Sequence, residues 1–546
     1  MVYIKNITFL NSKKTWRYYK KYNTSFWIIG HFHNFSDLEI LKLLCSINKR
    51  NIKKKISLID GNFSIFVKTK NYSFVCVDRI SSYPLLFSLR NNTIHIADNG
   101  KVITEYLKIK SSDVNPVIST SFAMSGYTID KSTLYKPISA FLPGEYLWIE
   151  DHKYFFKKYY EWKPWKIYDH KFNFKNNLLK LNEKIIKKLI KSVNNRQIVV
   201  PLSGGWDSRF IVSGLKHFGY KNVICVSYGK RDNTDMLIAK KVARKLGYKW
   251  IKIPYKTDSI RKLYYSNNYK QYEDYCDNLN SIHFISEYFM IYELKKRNLI
   301  HKDAIFVNGQ SGDFISGNHI PKSLTHEISS KKTVINEYIE KHNKYWSTLL
   351  NKKYKDIVKK LLKKQINSIL GKRRFKKINY YGLYETIEFY NRQVKYVING
   401  SRNYEFFGYE WRMPLWDFEY LKYWEKISIE NKFSQKLYRD IIYESNWGDV
   451  WKNIALNPKK NINPLLNVIR FFFKAIFIFL GKAKWHKFER KYIEYFTEDL
   501  LAYKPWPLKK IYIDNRGHYS PISWYIEDYL IRKKIRWDGK VNKKTT

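Results

Sequence analysis

The stretch Gln197-Ile-Val-Val-Pro201-Leu-Ser-Gly-Gly-Trp-Asp-Ser-Arg209-Phe-Ile-Val-Ser-Gly-Leu-Lys-His-Phe218 decides the reading of this chain. A β-branched run leads into a glycine pair and then into an apolar-periodic segment, which predicts strand, turn and helix. Gly204 and Gly205 let backbone N–H groups converge without Cβ interference, and Ser203 and Ser208 add hydroxyl donors. The helix that follows offers its unpaired N–H groups and positive dipole end at the same point. Such a nest suits a polyanion. Asp207 would repel a bare phosphate, so its presence predicts a bridging Mg²⁺ held by hard oxygen ligands.

The loop differs from a Walker A loop. The nearest candidate, Gly214-Leu-Lys-His-Phe-Gly219-Tyr-Lys221, lacks the Gly-Lys-Ser/Thr ending and falls within and just after the helix. Ser-Gly-Gly-x-Asp-Ser after a strand instead resembles the pyrophosphate loop of the ATP pyrophosphatases. That resemblance implies cleavage of ATP to AMP and pyrophosphate.

Outward from the loop, alternation of helix and strand from about residue 170 predicts a parallel sheet covered on both faces. A helix near 173–193 precedes the loop. The strand Asn222-Val-Ile-Cys-Val-Ser227 and a helix near Asp235–Leu246, stopped by Gly247, follow it. Beyond about 330 the chain reads as mostly helical. Residues 1 to about 160 are β-rich, with strand-like runs at Leu58–Val67, Tyr72–Asp78, Pro84–Leu89, Thr93–Ala97 and Glu145–Ile149. The aromatic stretch Lys158–Trp165 reads as the linker.

The chain has 546 residues, long for one core, and its 44% hydrophobic content supports packed interiors. Lys+Arg 100 against Asp+Glu 48 gives a net charge of +52. The lysines are spread along the whole length, so a nucleic acid or membrane-surface role is disfavoured against a coding bias. Cys45, Cys76, Cys225 and Cys276 form no CxxC pair, which predicts buried thiols in a reducing, cytoplasmic compartment. The sequence begins Met1-Val-Tyr3, without a signal-peptide pattern. The apolar segment Leu465–Leu480 is interrupted by Asn467, Arg470 and Lys474, and predicts a core or interface helix rather than a span, with membrane-surface contact as the minority reading. His31 and His33 lack a nearby carboxylate or cysteine and are expected to be ordinary strand residues.

Read over nearly its whole length, the chain resembles the asparagine synthetase family, including relatives that make β-lactams or close peptide macrocycles. The N-terminal match is loose: Asp60-Gly-Asn-Phe-Ser-Ile-Phe66, Val77-Asp78-Arg79, Tyr83-Pro-Leu-Leu86 and Leu142-Pro-Gly-Glu145. The second half matches better. Tyr228-Gly229 through Asp235, Asn308-Gly-Gln-Ser-Gly-Asp313, Phe407–Asp417, Lys436-Leu-Tyr-Arg439 and Asn457–Pro464 follow the family's segments. Phe314 stands where the family has a second acidic residue, and Leu415-Trp416 replaces Phe-Leu.

The resemblance implies an Ntn-hydrolase-like α+β sandwich over residues 1–160. A doubly wound α/β synthetase domain, akin to the adenine nucleotide α-hydrolases, follows over 170–546, helical from about 330. It implies ATP and Mg²⁺ as cofactors, a carboxylate substrate, and ammonia or another amine; a homodimer is compatible with it. Leu202, Ser203, Gly204, Gly205, Asp207, Ser208, Ser227, Gly309 and Gly312 would hold the nucleotide, and Asp207 and Asp313 the metal. Glu410 is the expected base for the attacking amine, and Lys459 or Lys460 the charge beside pyrophosphate. The family's glutaminase half uses an N-terminal cysteine; the nearest cysteine here is Cys45, so glutamine hydrolysis is not expected. Asparagine synthesis is the commonest implied activity. Tailoring of a peptide, polysaccharide precursor or other small molecule is the alternative, and a non-catalytic nucleotide-binding scaffold with a basic surface is a third.

Overall fold

The computed structural model describes residues 3–12, 14–165, 173–325, 329–371, 375–456 and 463–537. The N-terminal part is built on two packed sheets. The larger runs in the order Lys153–Lys158, Glu145–Glu150, Tyr72–Val77, Gly61–Lys68, Thr24–Phe32, Arg17–Lys21, all antiparallel. The smaller runs Asn6–Leu10, Thr93–Ala97, Leu86–Arg90, Ser139–Ala140. Period-two alternation explains the layering. Phe63, Ile65, Val67, Phe74, Cys76 and Trp148 face one core, shared with Ile40 and Leu44 of the helix Asp37–Cys45. Phe66, Val75, Val77, Leu147 and Ile149 face the other, shared with Ile7, Ile94 and Ile96 of the small sheet. Helices Gly100–Tyr106 and Pro116–Ser125 contribute Ile103 and Phe122 to the core that also takes Leu86 and Ala97. The result is the expected α+β sandwich.

The second part is a five-stranded, wholly parallel sheet in the order Lys249–Pro254, Val223–Gly229, Ile198–Pro201, Ile305–Val307, Glu410–Arg412. Ile198, Val199 and Val200 have no exposed surface, as a strand covered on both faces requires. Each such side chain contributes roughly 1.5–3 kcal/mol of burial free energy. Helices Asp207–His217 and Thr234–Leu246 cross over, the second ending at Gly247 in the left-handed region (φ 72°). Strand order reverses between Ile198–Pro201 and Ile305–Val307, so their loops part to leave a crevice at the carboxyl ends. Beyond it the chain is mainly helical and includes a nine-residue π-helical stretch, Phe389–Val397.

The two parts share a dense interface. Lys188 of the helix Phe174–Val193 pairs with both Asp60 and Asp417. The Arg79 guanidinium lies 3.7 Å from the Phe418 ring centre, and Tyr83 stacks on Trp411 at 5.4 Å. Lys395 donates to the carbonyls of Thr128 and Asp130.

One expectation fails here, and another fails in its core half only. Cys45 is exposed, while Cys76, Cys225 and Cys276 are buried. The helix Pro464–Ile478 is no core element: Leu465, Val468, Phe471, Phe472 and Phe479 lie largely in solvent. Apolar composition predicted the helix, but only its neighbours decide which face is covered.

Candidate nucleotide and acyl-transfer site

The crevice opens into a cavity of about 570 Å³, within the range of small-molecule and cofactor sites. One wall is the loop from Leu202 to Trp206 and the start of the helix Asp207–His217. No side chain caps that helix, so its first N–H groups remain available to a ligand. Ser203 and Ser208 hydroxyls lie 3.2 Å apart, and the Ser203 N–H donates to Ser208 Oγ. The Gly204 N–H donates to Asp235 Oδ1, so it braces the loop rather than facing the cavity. Arg209 braces it from behind. Its buried guanidinium donates to the carbonyls of Gly204, Val450, Ile454 and Ala455.

The facing wall is Asn308–Ser311 with Asp313. It touches the first wall backbone to backbone. A Cβ on Gly309 would meet the Asp207 carbonyl carbon at 2.6 Å, and one on Gly312 would meet the Asp207 carboxyl at 2.6 Å. Glycine is therefore demanded by approach, not by turn geometry.

The two acidic side chains between the walls titrate apart. Asp207 accepts from the Asp313 backbone N–H (2.9 Å) and the Tyr438 hydroxyl (2.9 Å). Loss of surrounding water, and then the Asp313 charge, raise its carboxyl to about 7. Burial also opposes ionisation of Asp313, but the hydrogen bond and charge of His319, the Phe314 backbone N–H and the Arg392 charge together outweigh it and lower that group. Burial would lower His319 too; Glu388 and Asp313 raise it instead to about 9. Glu388 in turn holds His342 at 3.1 Å and accepts from Gln393, whose carbonyl accepts from Ser311. Among the described residues no three His, Cys, Asp or Glu side chains cluster as a metal cage. Two carboxyls whose mutual repulsion a cation would relieve do fit a Mg²⁺ held mainly by nucleotide phosphates.

Two further groups were missed in the sequence. Glu287, at the start of the helix Tyr288–Lys296, lines the cavity and is buried; burial raises its carboxyl to about 7, while the Tyr404 hydroxyl donates to it. Asn308 donates to Tyr404 at 3.3 Å, tying this group to the glycine loop. Arg439 brings a guanidinium to the cavity beside Trp206.

Leu202, Ser203, Gly205, Asp207, Ser208, Ser227, Gly309 and Asp313 line the cavity; Gly204 and Gly312 stand behind its walls. Glu410 is elsewhere. It pairs in register with Ile305, at the amino end of the sheet, and is held by Arg196 and Arg412 (3.1 Å). Its expected place beside the acyl group does not follow, because the strand it opens runs toward the cavity from the far edge. Lys459 and Lys460 lie outside the described residues.

With this geometry in view, residues 27–160 match the glutamine amidotransferase domain, and residues 186–464, more than half the chain, match asparagine synthase. The chain belongs to the asparagine synthase family. Membership supports an ATP-dependent amidation ligase in general terms. No curated protein sequence matches the chain. Among solved structures, the NH3-dependent NAD synthetase from Campylobacter jejuni aligns at 13% identity and TM-score 0.19. That alignment covers 39% of this chain and 93% of that one. The NMN synthetase from Francisella tularensis aligns at 12% and 0.20, covering 40% and 94%. The allosteric regulatory enzyme of purine biosynthesis aligns at 13% and 0.20; the alignment covers 44% of this chain and spans 63% of that enzyme. The family assignment rests on the domain matches alone.

Proposed function

We propose that this family member is an AMP-forming amide ligase that adenylates a small-molecule carboxylate and passes the acyl group to an amine. A carboxylate oxygen of the substrate attacks the α-phosphorus of ATP, and the bond to pyrophosphate breaks. Ser203, Ser208, the N–H groups opening the helix Asp207–His217 and the Arg439 guanidinium take up the charge developing on pyrophosphate. Mg²⁺ held by Asp207 and Asp313 with the phosphates would neutralise part of that charge. The amine nitrogen then attacks the acyl carbon, AMP leaves with the C–O electrons, and the amine proton passes to Glu287. A buried carboxyl near 7 is matched to that task, and Tyr404 orients it. Glu410 is not offered for the role.

The reading is carried by one observation: the two glycine loops meet at the strand-order reversal and enclose Ser203, Ser208, Asp207 and Asp313 in one cavity. We propose a division into residues 1–160 and 170–546; the family matches, 27–160 and 186–464, fall inside these spans.

We also propose that the amine comes from ammonia or a dedicated donor, not from glutamine. Asp60, Asn62, Asp78 and Arg79, which carry the N-terminal resemblance, border a cavity of only about 30 Å³. That space holds a water or two. Lys188, Arg412 and Asp417 of the synthetase part fill the rest, and none of the four cysteines borders it. ATP–pyrophosphate exchange screened over aspartate and other carboxylic acids tests the reading. Acid-dependent exchange with AMP as product supports it; ADP formation overturns it.

A further inference from the structure

The helix Pro464–Ile478 has three distinct faces. Half-buried Leu466, Arg470, Phe473 and Phe477 recur at intervals of four, three and four, the stripe turned to the helix Lys482–Tyr492. Phe473 and Phe477 pack on Phe488 at 5.0 and 4.8 Å, and Arg470 pairs with Glu489. Asn467 and Lys474, seven apart, mark a narrow edge on which exposed Phe471 stands between them. The remaining stripe is Leu465, Val468, Ile469, Phe472, Ile476 and Phe479, apolar throughout and exposed, with Phe479 at 92%. A continuous apolar stripe of this kind on a protein surface marks an interaction site.

Charge selects the occupant. The neighbouring helix carries exposed Lys482, Lys484 and Lys487, and its one acidic residue, Glu489, is tied to Arg470. The chain as a whole carries +52. Two copies meeting at this face would bring like charges together. Nucleic acid would match the lysines but not the aliphatic and aromatic stripe. An anionic bilayer matches both, with headgroups for the lysines and the acyl boundary for the stripe. No helix among the described residues is long and apolar enough to cross a membrane, so the element would lie in the interface plane.

We propose that the Pro464–Ile478 helix is an interfacial anchor that docks this protein on anionic lipid surfaces. This stands apart from the ligase reading. Beyond this helix pair the Asp499 carbonyl accepts from the Lys230 N–H and Leu500 lines the cavity.

The test is co-sedimentation of the full chain with phosphatidylcholine vesicles, with and without phosphatidylglycerol, beside a Phe472→Asp/Phe479→Asp double variant. Both side chains are exposed, so the variant should melt like the parent. The parent should bind phosphatidylglycerol-containing vesicles, more weakly at high salt, and the variant about 100-fold or more weakly, the scale for removing two phenylalanines from an apolar phase. Equal binding by parent and variant would reduce the effect to non-specific charge and overturn the anchor. Binding to pure phosphatidylcholine alone would overturn the anionic preference. In sedimentation velocity without lipid, a dimer that the variant abolishes, with no vesicle binding, would assign the face to a second copy instead.

Discussion

The backbone N–H of Asp313 donates to Oδ2 of Asp207 at 2.9 Å, joining two loops that lie 106 residues apart. The same carboxyl takes the Tyr438 hydroxyl on its other oxygen. Asp207 is thus the latch between the glycine loops and, on the proposed reading, also a ligand of the cation. Asp207→Ala should lower ATP–pyrophosphate exchange by roughly 10²-fold or more, the scale for losing a preorganised electrostatic group. Asp207→Asn, which keeps one acceptor oxygen for the Asp313 N–H and turns an NH2 donor toward the Tyr438 hydroxyl oxygen, should hold the melting temperature closer to the parent while exchange still falls. An Asp207→Asn variant with near-parent exchange would remove the metal role.

Glu410 makes a different case. Its carboxylate sits between Arg196 and Arg412 at the amino end of the sheet, and both guanidiniums pull it below the usual range against a burial effect that raises it. An ionised, doubly paired carboxylate is a poor proton acceptor. Glu410→Gln should leave exchange and amide formation within a few-fold of the parent. Its stability loss should be about 1 kcal/mol, since the side chain is half exposed and water screens the pairs. A loss of amide formation alone, with exchange intact, would restore it as the base.

These two residues show what the sequence carried and what it did not. The Ser203–Ser208 loop is local: strand, glycine pair and helix N-terminus are neighbours in the chain, so their chemistry can be read there. Asp313 was legible through its own glycines. Glu287 was not, because nothing in Ser281–Tyr288 marks a site. Only packing against Tyr404, 117 residues on, aims its carboxyl and strips its water. Glu410 misled for the converse reason. Its motif stands out in the sequence, but in a parallel strand the direction of the chain decides which end reaches the crevice. Pro464–Ile478 was legible as an apolar helix but not as an exposed one, because composition reports apolarity and not cover.

Lys188 should prove to be the main latch between the two parts. It is largely buried and balances Asp60 from one side and Asp417 from the other. Lys188→Met keeps the stem and leaves two carboxylates facing each other, a loss of roughly 2–4 kcal/mol. Thermal unfolding should begin lower and separate into two transitions as the N-terminal part comes free. A single unshifted transition would show that the aromatic contacts at Tyr83 and Phe418 suffice.

The small cavity beside this latch leads to a prediction about nitrogen. The cavity offers about 30 Å³ and no bordering cysteine, the basis of the proposal that glutamine is not the nitrogen donor. Glutamate release should stay at background with ATP and the correct acid present, while ammonia or a dedicated amine supports turnover. Glutamate appearing in step with product would require another residue or a rearranged interface.

The last prediction turns on the sign of the Glu287 shift. Burial raises its carboxyl from the usual 4.5 to about 7. A carboxyl raised by folding favours the native state fully below its unfolded value, and that contribution is lost as pH rises through the folded one. At pH 8 the fold therefore carries a buried charge that Gln would lack. Glu287→Gln retains an acceptor for Tyr404, so its melting temperature should match the parent near pH 4 and exceed it by a few degrees at pH 8, roughly 2–3 kcal/mol. Catalysis should move the opposite way. Only the ionised group can take the amine proton, so amide formation by the parent should fall as pH drops below 7. The variant should keep acid-dependent pyrophosphate exchange and lose amide formation by ~10²-fold or more, with the Glu287-dependent limb gone from its pH profile. If the variant melts lower at both pH values, or loses both half-reactions together, Glu287 is a structural partner of Tyr404 and the proton goes elsewhere.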